Sequence, residues 1–235
     1  MINKALTISV EQADRLFWLG RYVERVYSTL RLFNTAMDTM IDVDEKGYVK
    51  FCQCLSIPSD IYAGRQDFEA SYLFSEANPD SIYANLSRAY DNGIVLRNFI
   101  STESLSYLQM ALDKLKAGGK AQSAFLSAQQ VIDWLLGFWG SLEETINDPQ
   151  RRNLIKIGKY VERMALALRL DLPYEVIDKT MPRLINRANR TGSLMHLDRL
   201  QELVLLAQGE AGLAKHKERA LELVNSLHLN PELAN

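Results

Sequence analysis

Two glutamate–arginine pairs, Glu24-Arg25 and Glu162-Arg163, stand at the same place in two copies of one phrase. Leu16-Phe17-Trp18-Leu19-Gly20-Arg21-Tyr22-Val23-Glu24-Arg25 returns 138 residues later as Leu154-Ile155-Lys156-Ile157-Gly158-Lys159-Tyr160-Val161-Glu162-Arg163. The agreement resumes at Leu30-Arg31-Leu32 against Leu168-Arg169-Leu170, so that nine of 17 aligned positions are identical. A packing requirement alone would repeat apolar spacing; here a glycine, a tyrosine and an adjacent acid and base repeat as well. Glu24 follows Gly20 by four residues and Phe17 by seven, which puts it on or beside the apolar face of a helix, and Glu162 stands identically to Gly158. A carboxylate there needs a partner, because an unpaired buried charge is very costly.

Two chemistries fit. In one, the glutamates form structural ion pairs that fix helix register. Each then takes its base from another helix, since Arg25 and Arg163 project about 100° away from their neighbouring acids. In the other, the two carboxylates face a polar site in the bundle centre and bind a ligand or transfer protons. Asn92, Leu96, Phe99 and Glu103 share a face at steps of 4, 3 and 4, and Arg97 is the expected counter-ion for Glu24 or Glu162. With Tyr22, Arg25, Tyr160 and Arg163 these residues make up the candidate cluster.

Other chemistries have less support. A ferritin-like di-metal site needs Glu-x-x-His on two helices, and the three histidines, His196, His216 and His228, all lie outside the repeat. They read as surface or interhelical residues. Cys52 and Cys54 are too close in sequence for an unstrained disulfide, and no second Cys/His cluster completes a zinc site. No metal and no cofactor is expected. Arg183, Arg187 and Arg190 form a stripe without interleaved aromatics, which reads as a solvated face. Trp18 and Trp134 read as packing residues.

The elements that must position the cluster are helices. Ser9-Val10-Glu11-Gln12 is a capping box, followed by an apolar stripe of helical period for about 30 residues. Glu45 to Leu55 predicts a shorter helix stopped by Pro58. A connection over 59–77, irregular in pattern and holding one or two short helices, is anchored by Tyr62, Phe68, Tyr72 and Phe74. Asn78-Pro79-Asp80-Ser81 predicts a helix start, with that helix running to Ile100. The next runs from Ser101 to Gly118-Gly119, and a long one over 121–147 carries Phe125, Val131, Trp134, Leu135 and Phe138. Asp148-Pro149 opens the second copy of the repeat, ending near Asp171-Leu172-Pro173. Tyr174 to Arg190 is helical with a break or kink at Pro182, and 194–208 and 214–228 are two final helices. No segment alternates as a strand does. The fold class is all-α: one domain over residues 1–235, a bundle of long antiparallel helices with an internal pseudo-two-fold repeat and shorter C-terminal helices. The twin glycines, each a cost of about 1 kcal/mol against alanine in a helix, predict that the repeated helices approach closely there.

The chain has 235 residues, 47% of them hydrophobic, and a net charge of −2, enough apolar content for a sizeable core and no reason to expect nucleic acid. Residues 151–235 carry a net +4 and the remainder −6, a polarity that reads as holding the halves together, with the orienting of a partner as the alternative. The first residues lack a signal sequence and no apolar run approaches the ~20 residues that span a bilayer, so a cytoplasmic protein without a membrane partner is expected. Homo-oligomerisation is left open.

The motif residues resemble a known group. Leu16 through Arg25 is similar to the opening motif of the bacterial alpha-E domain family, Asn78-Pro79-Asp80-Ser81-Ile82 and Ala89 through Glu103 to its central helix, and Ile157 through Arg163 to its second motif. Asn92, Arg97, Ser101 and Glu103 match the family's polar positions, whereas Tyr90 and Ile94 stand where arginines are usual and Leu105 where a tryptophan is. The resemblance covers about residues 9–172. It implies an all-helical protein encoded beside, or fused to, an ATP-grasp-type ligase and a transglutaminase-like protein. From this a non-catalytic helical partner subunit of a peptide-synthesis or peptide-modification system is expected. The alternative is an enzyme or ligand-binding protein that uses the central Glu/Arg cluster.

Overall fold

The computed structural model describes residues 8–42, 46–118, 124–191 and 195–229, with the side chains of 36–42, 124 and 125 not described. Phe125 therefore falls outside the described side chains. Eleven α-helices are described: α1 (Val10–Asp42), α2 (Gly47–Leu55), α3 (Arg65–Phe74), α4 (Ile82–Val95), α5 (Thr102–Gly118), α6 (Ala124–Thr145), α7 (Pro149–Arg169), α8 (Tyr174–Ala188), α9 (Leu197–Leu206), α10 (Glu210–Lys215) and α11 (Lys217–Ser226). Among the described residues the nearest thing to a strand is one isolated antiparallel bridge, Met195 to Leu229. The fold is all-α.

The helix starts follow from local chemistry. At α1 the Ser9 amide donates to Gln12 Oε1 at 3.1 Å and the Gln12 amide to Ser9 Oγ at 3.2 Å, which satisfies two donors a helix N-terminus otherwise leaves open. At α7 the Asp148 carboxylate accepts from the Gln150 and Arg151 amides, and Pro149 fills the first turn, where a missing N–H costs nothing. Ser101 caps α5 by accepting from the Ser104 amide at 2.9 Å.

Two expected helices are corrected. The helix over 78–100 is shorter at both ends: Ser81, rather than Asn78, accepts the capping bond from Ala84, while Asn78 closes a turn onto the Asp80 amide. It stops at Val95, and tight turns from Leu96 to Ile100 send both of those side chains into the core. The segment 214–228 is divided instead. Gly209, at φ +80°, opens α10, and the chain breaks at His216 before α11.

The repeated helices α1 and α7 make the most extensive contact in the molecule, and the rest is arranged around them. The α4 and α6 helices pack on α1; α8 and α11 pack on α7; α5 lies on α4 and α6; α2 touches both α1 and α7; α9 contacts α8 and α11. The irregular connection is held by an aromatic cluster in which Phe33 of α1 meets Phe51, Phe68 and Tyr72 at ring separations near 6 Å. Tyr62, Phe68 and Tyr72 are buried there, and Phe74 is half-buried. Trp18 and Trp134 are half-buried packing residues, Trp134 against Tyr107. No described helix is long and apolar enough to cross a membrane.

Candidate functional site

The geometry starts from the glycines. A Cβ built on Gly20 would overlap the carbonyl oxygen of Ile155 and lie 2.8 Å from its carbonyl carbon; one built on Gly158 would overlap the Phe17 oxygen and lie 3.0 Å from its carbon. Backbone meets backbone at both positions, so α1 and α7 cross about a local two-fold axis that only glycine at both sites permits.

That contact places one turn of each helix opposite the other. Glu162 accepts from Arg21 (Nε 2.8 Å, Nη2 2.7 Å) and from Arg25 (Nε 2.6 Å). Reciprocally, Glu24 accepts from Arg163 Nε at 2.7 Å and from the Ser28 hydroxyl at 2.9 Å. Both glutamates are wholly buried, at 0% exposure. Each Glu-Arg pair is thus split: its acid grips the arginine of the other copy, and its arginine grips the other copy's acid. Asn85 of α4 takes a further bond from Arg25 at 3.3 Å. Burial pushes the Glu162 carboxyl upward, but Arg25 and Arg21 outweigh it and hold the group below its ordinary value of 4.5.

The two-fold symmetry breaks at Ser28, whose counterpart is Leu166, and at a second basic position. Arg21 corresponds to Lys159. Arg21 grips Glu162 with its guanidinium over the Trp18 ring at 4.9 Å, whereas the Lys159 ammonium lies 3.8 Å from the Trp139 ring centre. Glu24 Oε2 is left buried without a hydrogen-bond partner. Burial lowers the Lys159 pKa to about 8, against an upward pull from Glu24 and with a further lowering by Arg163, Lys156 and Arg183. Lys159→Arg restores the fork seen at Arg21, and a rise in Tm of a few degrees near pH 7 is expected, from about 1 kcal/mol gained by satisfying a buried acceptor. The sign with pH follows from linkage. A lysine lowered from 10.5 to about 8 on folding binds fewer protons folded than unfolded between those values, so the wild type gains stability as pH rises through that window. The Tm advantage of the arginine variant should shrink from pH 8 upward; a difference independent of pH would contradict the assignment.

The candidate cluster is brought together in part. Glu24, Arg25, Glu162 and Arg163 meet at the crossing. Tyr160 is buried, and Tyr22 lies tilted against Trp18 at 5.5 Å with Arg25 5.7 Å from its ring. Arg97 and Glu103 are corrections: both are exposed, Arg97 within the turns that follow α4 and Glu103 in the first turn of α5. The shared face assumed for Asn92 to Glu103 does not exist, because the helix stops at Val95. Asn92 is half-buried and accepts from Arg15 at 3.4 Å. The residues missed were Arg21 and Lys159. They were visible as a conserved base in the repeat, one turn before the glutamate on the same face.

Elsewhere, Cys52 and Cys54 are free thiols, and burial raises Cys52 to about 11. Arg187 donates to Asn153 at 2.8 Å, and Arg183 and Arg190 are exposed. His196 and His228 meet edge-to-face at 5.6 Å. Among the described residues no group of three or more His, Cys, Asp or Glu side chains could hold a metal ion.

The Alpha-E family, described as a predicted alpha-helical domain with a conserved ER motif, matches residues 11–197. The chain belongs to this family. The chain's two Glu-Arg pairs, one on α1 and one on α7, are the halves of the reciprocal lock described above. No curated protein and no solved structure matches the chain.

Proposed function

We propose that this Alpha-E protein is a non-catalytic helical subunit that binds an ATP-grasp-type peptide ligase, within a peptide-synthesis or peptide-modification system that also uses a transglutaminase-like protein. The observation that carries the non-catalytic part is the complete burial of both motif carboxylates against arginines of the opposite helix. A general acid or base must reach its substrate within about 3 Å or through one water; Glu24 and Glu162 face only protein. Their role is to set the register of α1 on α7 and so to present a rigid outer surface. The ligase and the transglutaminase-like protein enter from the resemblance of the motifs.

Affinity capture of the native complex from its host, with mass spectrometry of the retained proteins, tests the partner. An ATP-grasp-type ligase retained at stoichiometric yield is expected; its absence from the captured set contradicts the reading. The double variant Glu24→Gln plus Glu162→Gln tests the role of the carboxylates. A lower Tm with partner binding intact below the melting transition is expected. A variant that keeps the wild-type Tm and loses activity or ligand binding favours the catalytic alternative.

A further inference from the structure

The repeat conserves one more base that the crossing does not use. Arg31 and Arg169 are the central residues of the two Leu-Arg-Leu triplets. No carboxylate among the described residues pairs with either: Arg31 donates to the Tyr27 hydroxyl at 3.2 Å and Arg169 to Asn225 Oδ1 at 3.0 Å. Two recesses flank the crossing, sharing Leu166 as a wall. One, of about 170 Å³, is lined by Arg25 and Arg169 with Thr29, Tyr72, Asn85 and Asp80. The other, of about 440 Å³, is lined by Arg163 and Arg31 with Tyr27 and Ser28.

The two recesses are therefore built by the same rule. Each combines the Glu-Arg arginine of one repeat with the Leu-Arg-Leu arginine of the other. Arg163 uses only Nε on its glutamate, and Arg25 uses Nε there and Nη1 on Asn85. Guanidinium donors on both remain for something else. The local charge asks for an anion. Around the smaller recess Arg21, Arg25 and Arg169 stand against Glu162 and Asp80, a surplus of one positive charge. Around the larger, Arg31 and Arg163 stand against Glu24, with Lys159 behind on Trp139, so the surplus is at least one. Desolvation lowers the Arg169 pKa, and Arg25 and Arg21 lower it further, while Glu162 only partly offsets them. The like charges gathered here outnumber the carboxylates set against them.

We propose that the two recesses are a pseudo-symmetric pair of binding sites for a small oxyanion, a carboxylate or a phosphate, held in each between the two arginines. Paired guanidinium forks match the two oxygens of such a group. The single surplus charge of the smaller recess fits a monoanion, and the Asp80 carboxylate on its wall disfavours a more highly charged one.

The proposal stands apart from the partner reading, because it is tested on the protein alone. Side-chain nitrogen resonances of the arginines are followed while the full chain is titrated with sodium acetate, with inorganic phosphate, and with sodium chloride at matched ionic strength. Saturable shifts at Arg31 and Arg169 are expected with acetate, phosphate or both, and none with chloride; which salt acts identifies the source of the oxyanion. Arg169→Gln should abolish the response at the smaller recess alone, and Arg31→Gln that at the larger alone. Either variant should stay folded with Tm little changed, since neither arginine carries an ion pair. Arg169→Lys and Arg31→Lys keep the charge and lose the fork, and should weaken binding about tenfold or more. No saturable shift with either oxyanion, an equal response to chloride, or binding that survives in Arg31→Gln plus Arg169→Gln would overturn the proposal.

Discussion

Gly158→Ala should lower the melting temperature by about 6–12 °C, and Gly20→Ala by a similar amount. In an ordinary helix interior this change stabilises, by about 1 kcal/mol, because alanine has the higher helix propensity. The opposite sign is expected here because the added methyl meets main chain and not a movable side chain. At Gly158 it would overlap the Phe17 carbonyl, and at Gly20 the Ile155 carbonyl. Relief requires α1 and α7 to separate, and every buried contact along their length then loosens, including the ion pairs one turn away. Overpacking of this kind costs about 1–3 kcal/mol and sometimes more; a net loss of about 3 kcal/mol at 2–4 °C per kcal/mol gives the stated shift. Gly140, whose added Cβ meets nothing within 4 Å, is the matched control: Gly140→Ala should hold or raise Tm. Thermal unfolding of the three variants checks this. Unchanged Tm in Gly20→Ala and Gly158→Ala would mean that the helices do not cross at the glycines.

Glu162→Ala should be the most damaging substitution of a polar residue, at about 3–5 kcal/mol, the cost of removing one partner from a buried ion pair. It leaves Arg21, which is 5% exposed, without a counter-charge, and Arg25 beside it. Arg25→Ala should cost less, because its side chain is partly exposed and Glu162 keeps Arg21. Chemical denaturation gives both values. The wild type should also show an acid limb that the variant lacks. Glu162 titrates below 4.5 when folded, so its stabilisation is complete above the ordinary value and is lost as pH falls through the lowered one. Equal costs for Glu162→Ala and Arg25→Ala would contradict the assignment of Glu162 as the shared acceptor.

Much of this arrangement is legible in the chain because it rests on local or repeated signals. The capping box at Ser9 and Gln12, the Asp148-Pro149 start and the twin glycines each state a local requirement, and each is met. The pairing of each glutamate with an arginine from another helix followed from angles on a helix. The identity of that arginine did not. Arg97 fits only a single helix running through Leu96 to Ile100, and Gly93, which is easily read as a tolerated interior glycine, is the one local mark near its true end. The stop at Val95 is set by tertiary packing, which draws Leu96 and Ile100 inward together. The recesses beside the crossing were also illegible, because each is assembled from both repeats: Arg25 with Arg169, and Arg163 with Arg31. Only the register of α1 on α7 brings those pairs together. The division at His216 between α10 and α11 has no sequence marker beyond Gly209 and Gly212.

The exchange of partners between the two Glu-Arg pairs is tested most directly by three double-mutant cycles on stability. They use Glu24 with Arg163, Glu162 with Arg25, and Glu24 with Arg25, each residue changed to its uncharged glutamine. Coupling of about 1–3 kcal/mol is expected in the first two cycles and within about 0.5 kcal/mol of zero in the third. Strong coupling within Glu24-Arg25 together with none across the helices would mean that each pair serves its own helix, and the crossing as described would be wrong.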